Sequence, residues 1–173
     1  MLLFILGAGA YYDIREQRIP NRWVVLGIVS GILLGIVQSG QLWGAEAFWV
    51  VPLRFFLRVF ITTAVFFPLF LCRMIGAGDI KLAALIYGYL GFKAGALSVG
   101  SGFLIGALWS LFKIMRKGSF LMRFSHLLAY IRQVIHTGKV MPYYIPARDG
   151  QEGVIPLGVC LFLGTLVYII VFR

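Results

Sequence analysis

Six apolar segments, at about 1–14, 22–38, 56–73, 80–92, 94–112 and 153–172, take up most of this 173-residue chain. A bilayer-spanning helix needs about 20 largely apolar residues, so there is room for roughly six spans with short loops and for no sizeable soluble domain. Only 13% of the residues are charged, against about 25% in soluble domains. The sequence therefore predicts an all-α polytopic membrane protein of about six transmembrane helices, forming one membrane-embedded domain over residues 1–173. Segment 1 is short, since its span at 1.5 Å rise per residue reaches about 21 Å of a core about 30 Å thick. It is expected to run on past Asp13, and segment 4 to extend over Lys93. Residues 1–10 end like a signal peptide, at Ala8-Gly9-Ala10, but lack its basic start, and are read as a retained span.

Sixteen Lys and Arg against six Asp and Glu give a net charge of +10. A nucleic-acid binder would carry that charge on a polar surface. Here it lies between apolar runs, so nucleic acid is excluded and the bilayer is the implied partner. Arg54, Arg58, Lys93 and Arg173 fall on one side of the predicted spans, and the other twelve basic residues on the opposite side. The positive-inside rule puts the twelve in the cytoplasm and both termini outside the plasma membrane. Arg54 and Arg58, one turn apart, can snorkel to the outer headgroups. The longest polar stretch, 113–152, is expected to hold a cytoplasmic amphipathic helix. Phe120, Leu121, Phe124, Leu127, Leu128, Ile131, Val134 and Ile135 share one side of it, which suits a helix lying in the headgroups better than a substrate clamp. Gly27/Gly31/Gly35 and Gly102/Gly106 read as packing seams between membrane helices. Cys72 and Cys160 form no C-x-x-C pair.

With so few acids, each can be weighed. Asp13 lies near the inner end of segment 1, and Asp79 opens segment 4. The chain crosses the membrane twice between them, so both carboxylates face the cytoplasm from different helices. Two close carboxylates share one proton. The ionised member can take a proton from water as it attacks a carbonyl, while the protonated one polarises that carbonyl and later protonates the leaving amine. Metal-free peptide hydrolysis fits this pair. Plainer roles also fit: Asp79 after Gly76-Ala77-Gly78 suits a helix N-cap, and Asp13 an ion pair with a nearby Arg. Glu16, Asp149 and Glu152 read as solvated, and Glu46 lies on the wrong side. His126 and His136 lack the further ligands a metal would need, and no metal or cofactor is expected. Gly76 and Gly78 allow positive φ and close backbone approach, leaving room for an extended peptide. Ile19-Pro20-Asn21 is a turn that stops segment 1 and launches segment 2. A small ion-coupled transporter would also place carboxylates in a membrane, but at mid-membrane and among inverted repeats.

Asp13-Ile14-Arg15 leading to Ile19-Pro20-Asn21, followed by Gly76-Ala77-Gly78-Asp79-Ile80-Lys81, resembles the type IV prepilin peptidase family of G-x-G-D membrane aspartyl proteases. Val154-Ile155-Pro156-Leu157-Gly158 also looks like that family's final helix, so the likeness extends over the whole chain. The resemblance implies that Asp13 and Asp79 are the catalytic pair, that Gly76 and Gly78 shape the loop and that Lys81 supports the site electrostatically. It implies as substrate a prepilin-like protein with a short basic leader, a Gly before the cut and an apolar helical stem. Bifunctional members carry a cysteine-rich loop and also N-methylate the new terminus; without C-x-x-C, this chain is expected to be the minimal, peptidase-only form. Presenilin-like proteases share G-x-G-D and Tyr-Asp, here Tyr12-Asp13, but look larger and end in a Pro-Ala-Leu motif missing here.

Overall fold

Helix boundaries follow the polar and proline punctuation of the apolar runs. The computed structural model describes residues 1–16, 19–43, 46–72, 74–117 and 156–172, with Ala129 and Arg132 between them. Five helices account for nearly all of it: α1 (Leu2–Glu16), α2 (Asn21–Trp43), α3 (Ala47–Leu71), α4 (Ala77–Lys117) and α5 (Leu157–Phe172). Three of them contain stretches long and apolar enough to cross a membrane: Asn21–Ser39, Phe48–Leu71 and Ala77–Lys113. The amphipathic helix expected within 113–152 lies outside the described residues, apart from the end of α4.

α1 does run on past Asp13, to Glu16. α3 begins at Ala47, well before the predicted start at 56. The apolar run Phe48-Trp49-Val50-Val51 continues the helix toward its start, so Arg54 as well as Arg58 lies inside it. The predicted segments 80–92 and 94–112 are joined in α4, but Gly91 interrupts them at φ 82°, ψ 179°, a backbone that side chains other than glycine's rarely allow. Eight residues of straight helix would separate Tyr87 from Gly95 by about 12 Å. Instead, a Cβ placed on Gly95 would lie 3.1 Å from the Tyr87 Cα, and the Tyr87 and Phe92 rings lie 6.2 Å apart. α4 is therefore a helical hairpin with arms 77–90 and 92–117. The expected extension of segment 4 over Lys93 is corrected: the first arm lengthens at its start, to Ala77, and the chain reverses before Lys93.

Arg58 completes the hairpin. Its Nη1 donates to the Gly88 carbonyl at 3.4 Å, and its guanidinium covers Gly91. A cation at a helix C-terminus complements the helix dipole, and the carbonyls there have no helical partner. The arginine read as a headgroup anchor thus also holds the turn.

The first arm of α4 is the centre of the fold. Leu82, Leu85 and Ile86 are almost fully buried, as are Ile5 and Leu6 of α1 and Leu161 of α5. Glycines let the neighbours approach: Gly9 meets Leu82, Gly27 meets Leu85, Gly31 meets Phe55 and Tyr89, and Gly35 meets Val51. On the other arm Gly102 packs on the backbone of Cys160 and Leu161. Both glycine series are thus packing seams. Polar bonds reinforce them, with Tyr89 Oη donating to the Gly27 carbonyl at 3.0 Å and Ser98 Oγ to Thr165 Oγ1 at 2.7 Å.

Candidate active site

Asp13 sits in the last turn of α1, half-buried, and its Oδ2 accepts the backbone N–H of Gly158 at 2.9 Å. That amide is available because it belongs to the first turn of α5. The helical ladder starts one residue later, with the N–H groups of Val159 and Cys160 bonded to the Pro156 carbonyl. Among the described residues no arginine pairs with Asp13; Arg15 donates to the Tyr11 hydroxyl at 2.9 Å.

Asp79 is the third residue of α4, so it is not the N-cap. Gly76 takes that place, its carbonyl accepting the Ile80 N–H at 3.3 Å. The Asp79 carboxyl reaches back toward the Gly76 amide, and a Cβ on Gly76 would stand 3.1 Å from Oδ2. The plain capping role is therefore partly filled, by one oxygen as in a capping box. The other oxygen, Oδ1, is buried with no hydrogen-bond partner among the described residues. Asp79 opens onto a narrow apolar crevice lined by Phe66 of α3, by Ile75, Ile80, Ala83 and Phe103, and by Leu157 and Leu161 of α5. A buried oxygen without a donor is costly, and its setting calls for a reason.

α5 brings the two carboxyls together. Leu157 lines the Asp79 crevice, and the next residue, Gly158, holds Asp13. The carboxyls interact electrostatically with each other and with the buried Cys160 thiol two residues after Gly158. Crossing parity predicts that Asp13 and Asp79 share one side of the membrane, and in the fold α5 touches both sites.

The remaining motif residues have structural work. Trp23 donates its N–H to the Pro20 carbonyl at 3.1 Å, so Pro20 precedes the first turn of α2. Lys81 Nζ donates to Asn21 Oδ1 at 2.6 Å, tying the start of α4 to the start of α2. Its ammonium thus bridges the two motifs. Gly78 does not leave space for a peptide: a Cβ there would lie 3.0 Å from Ile19 Cδ1, so the gap is filled by the chain's own buried Ile19. Nor is positive φ used at Gly76 or Gly78; among the described residues Gly91 alone has it.

A family model described as the type IV leader peptidase family matches residues 1–111. The chain belongs to the type IV leader peptidase family. Neither a curated protein nor a solved structure gave a match. The matched stretch carries both aspartates and both motifs, and it ends before α5, so the family match is narrower than the whole-chain likeness read from the sequence. Membership makes this a leader peptidase, and its long apolar helices make it a membrane protein. Sequence reasoning missed Gly158 as a site residue, together with the crevice formed by Phe66, Phe103 and Leu161. A Pro-x-Gly opening an apolar helix on the same side as both aspartates was the available signal.

Proposed function

We propose that this protein is an aspartic-type endopeptidase that cleaves the leader of prepilin-like proteins with Asp13 and Asp79 as its acid–base pair. The observation that carries the reading is that consecutive residues of α5, Leu157 and Gly158, contact the two aspartate sites. One carboxyl there is held by an amide, and the other keeps a buried oxygen unpartnered. A peptide carbonyl supplies what such a pair lacks: an acceptor for the protonated carboxyl and an electrophile for water activated by the other.

The chain crosses the plasma membrane six times in this reading, the α4 hairpin counting twice, with both termini outside and the aspartates facing the cytoplasm. The basic leader of the substrate approaches from that side, and its apolar stem stays in the bilayer. Gly76, Gly78, Lys81, Pro20 and Asn21 act by fixing the start of α4 against the start of α2. Asp13→Asn and Asp79→Asn are each expected to abolish cleavage of a co-expressed prepilin, scored by the mobility shift of the processed form. Both variants should remain in the membrane fraction at wild-type amounts. Processing that survived both substitutions would refute the assignment.

A further inference from the structure

The two carboxyls are not equivalent. Asp13 Oδ2 accepts an N–H from the first turn of a 16-residue helix, where unpaired amides and the helix dipole favour negative charge. Asp79 Oδ1 is buried without a donor among the described residues, beside Phe66, Phe103, Leu157 and Leu161. An ionised carboxylate so placed is costly, and a neutral carboxyl costs far less.

We infer that the pair's shared proton resides on Asp79, that Asp13 is the base that activates water, and that Gly158 is the positioning residue that sets this division. The inference rests on the endopeptidase reading above. In the reaction, the Asp79 hydroxyl hydrogen-bonds the scissile carbonyl. Water adds its oxygen to the carbonyl carbon and gives one proton to Asp13. Asp79 then passes its proton to the leaving nitrogen as the C–N bond breaks and the carbonyl re-forms. The products are a carboxylic acid and an amine. The proton on Asp13 returns to Asp79, and both groups regain their starting states.

Gly158 suits this role in two respects. Its N–H is not needed by the helix, since the ladder begins at Val159. Its lack of a side chain is also required: a Cβ would stand 2.9 Å from Asp13 Oδ2 and 3.2 Å from Asp13 Cγ. Gly158→Ala therefore pushes the carboxylate off its donor. The bond is a charge-assisted one, so kcat should fall about 10- to 100-fold. KM for a prepilin peptide should change less than about two-fold, because Gly158 acts through Asp13 and not on substrate binding. A variant whose kcat stayed within about two-fold of wild type would overturn the positioning role.

The proton's location has its own test, which needs no variant and no substrate. Dicyclohexylcarbodiimide, an apolar reagent, adds a protonated carboxyl across its N=C bond, the oxygen joining carbon and the hydrogen joining nitrogen. Purified full-length protein in detergent is treated with it, and the adduct is located by peptide mass spectrometry. Label is expected on Asp79 in preference to Asp13, although Asp79 is the more enclosed of the two. Label on Asp13 in preference, equal label on both, or none on Asp79 would overturn the inference. In Gly158→Ala, Asp13 should become labelled as well. Failure of the endopeptidase reading looks different: it would appear as cleavage surviving Asp13→Asn and Asp79→Asn, whatever the labelling pattern.

Discussion

Gly164→Ala should destabilise the protein more than any other single-methyl change in its glycine seams. A Cβ there would collide with the Gly102 backbone N, stand 2.5 Å from Gly102 Cα and reach within 2.8 Å of the Ser98 carbonyl. All three are main-chain atoms of the second arm of α4, which no rotamer change can move. Ordinary contact needs about 3.5–4.0 Å between carbon atoms, so α5 must retreat by about 1 Å. That retreat stretches the Ser98–Thr165 bond, 2.7 Å, and the bond from Ser101 Oγ to the Gly164 carbonyl, 3.0 Å. Overpacking costs about 1–3 kcal/mol, and each interhelical hydrogen bond in a membrane protein is worth about 0.6 kcal/mol. The sum, about 2–4 kcal/mol, corresponds to a Tm lowered by about 5–15 °C for a chain of this size. Gly100→Ala is the matched control, because nothing lies within 4 Å of its added Cβ. The assay is thermal unfolding of purified protein in detergent, followed by intrinsic tryptophan fluorescence. Equal melting temperatures for the two variants would show that α4 and α5 do not pack backbone to backbone.

Gly91→Ala forces a side chain onto a φ of 82°, a cost of about 1–3 kcal/mol. The same melt should show it, and an unchanged Tm would argue against the hairpin turn. Lys81→Met and Asn21→Leu should each reduce prepilin processing a few-fold, with the double variant no worse than the more impaired single one, because both remove the same 2.6 Å bond. Additive losses in that cycle would mean the two residues act separately.

The parts of the site that could be read from sequence are those carried by side chains whose presence in a membrane is costly. Asp13 and Asp79 stand out because few acids interrupt the apolar runs, and the parity of crossings between them needs no coordinates. Helix α3 was less legible. Its start lies nine residues before the predicted one, and Arg58, read as a headgroup anchor, finds a partner in the Gly88 carbonyl. The reversal is visible as the break between segments 80–92 and 94–112, but not its place at Gly91, since φ is invisible in composition. Gly78 misled for a related reason: a missing side chain looks like room for a substrate, and here it is room for Ile19. Gly158 escaped notice because it contributes a backbone amide, which every residue except proline has.

The link between Asp13 and Gly158 spans 145 positions of sequence, close to the whole length of the chain. During synthesis the first helix, with its aspartate, is in place long before the helix that completes it has been made. Loop closure on that scale costs more chain entropy than closing the local hairpin or the α2–α3 pair. A partly made chain therefore holds two aspartates without the amide that tells them apart. If Gly158 positions Asp13 as proposed, the catalytic pair is complete only once α5 has been made.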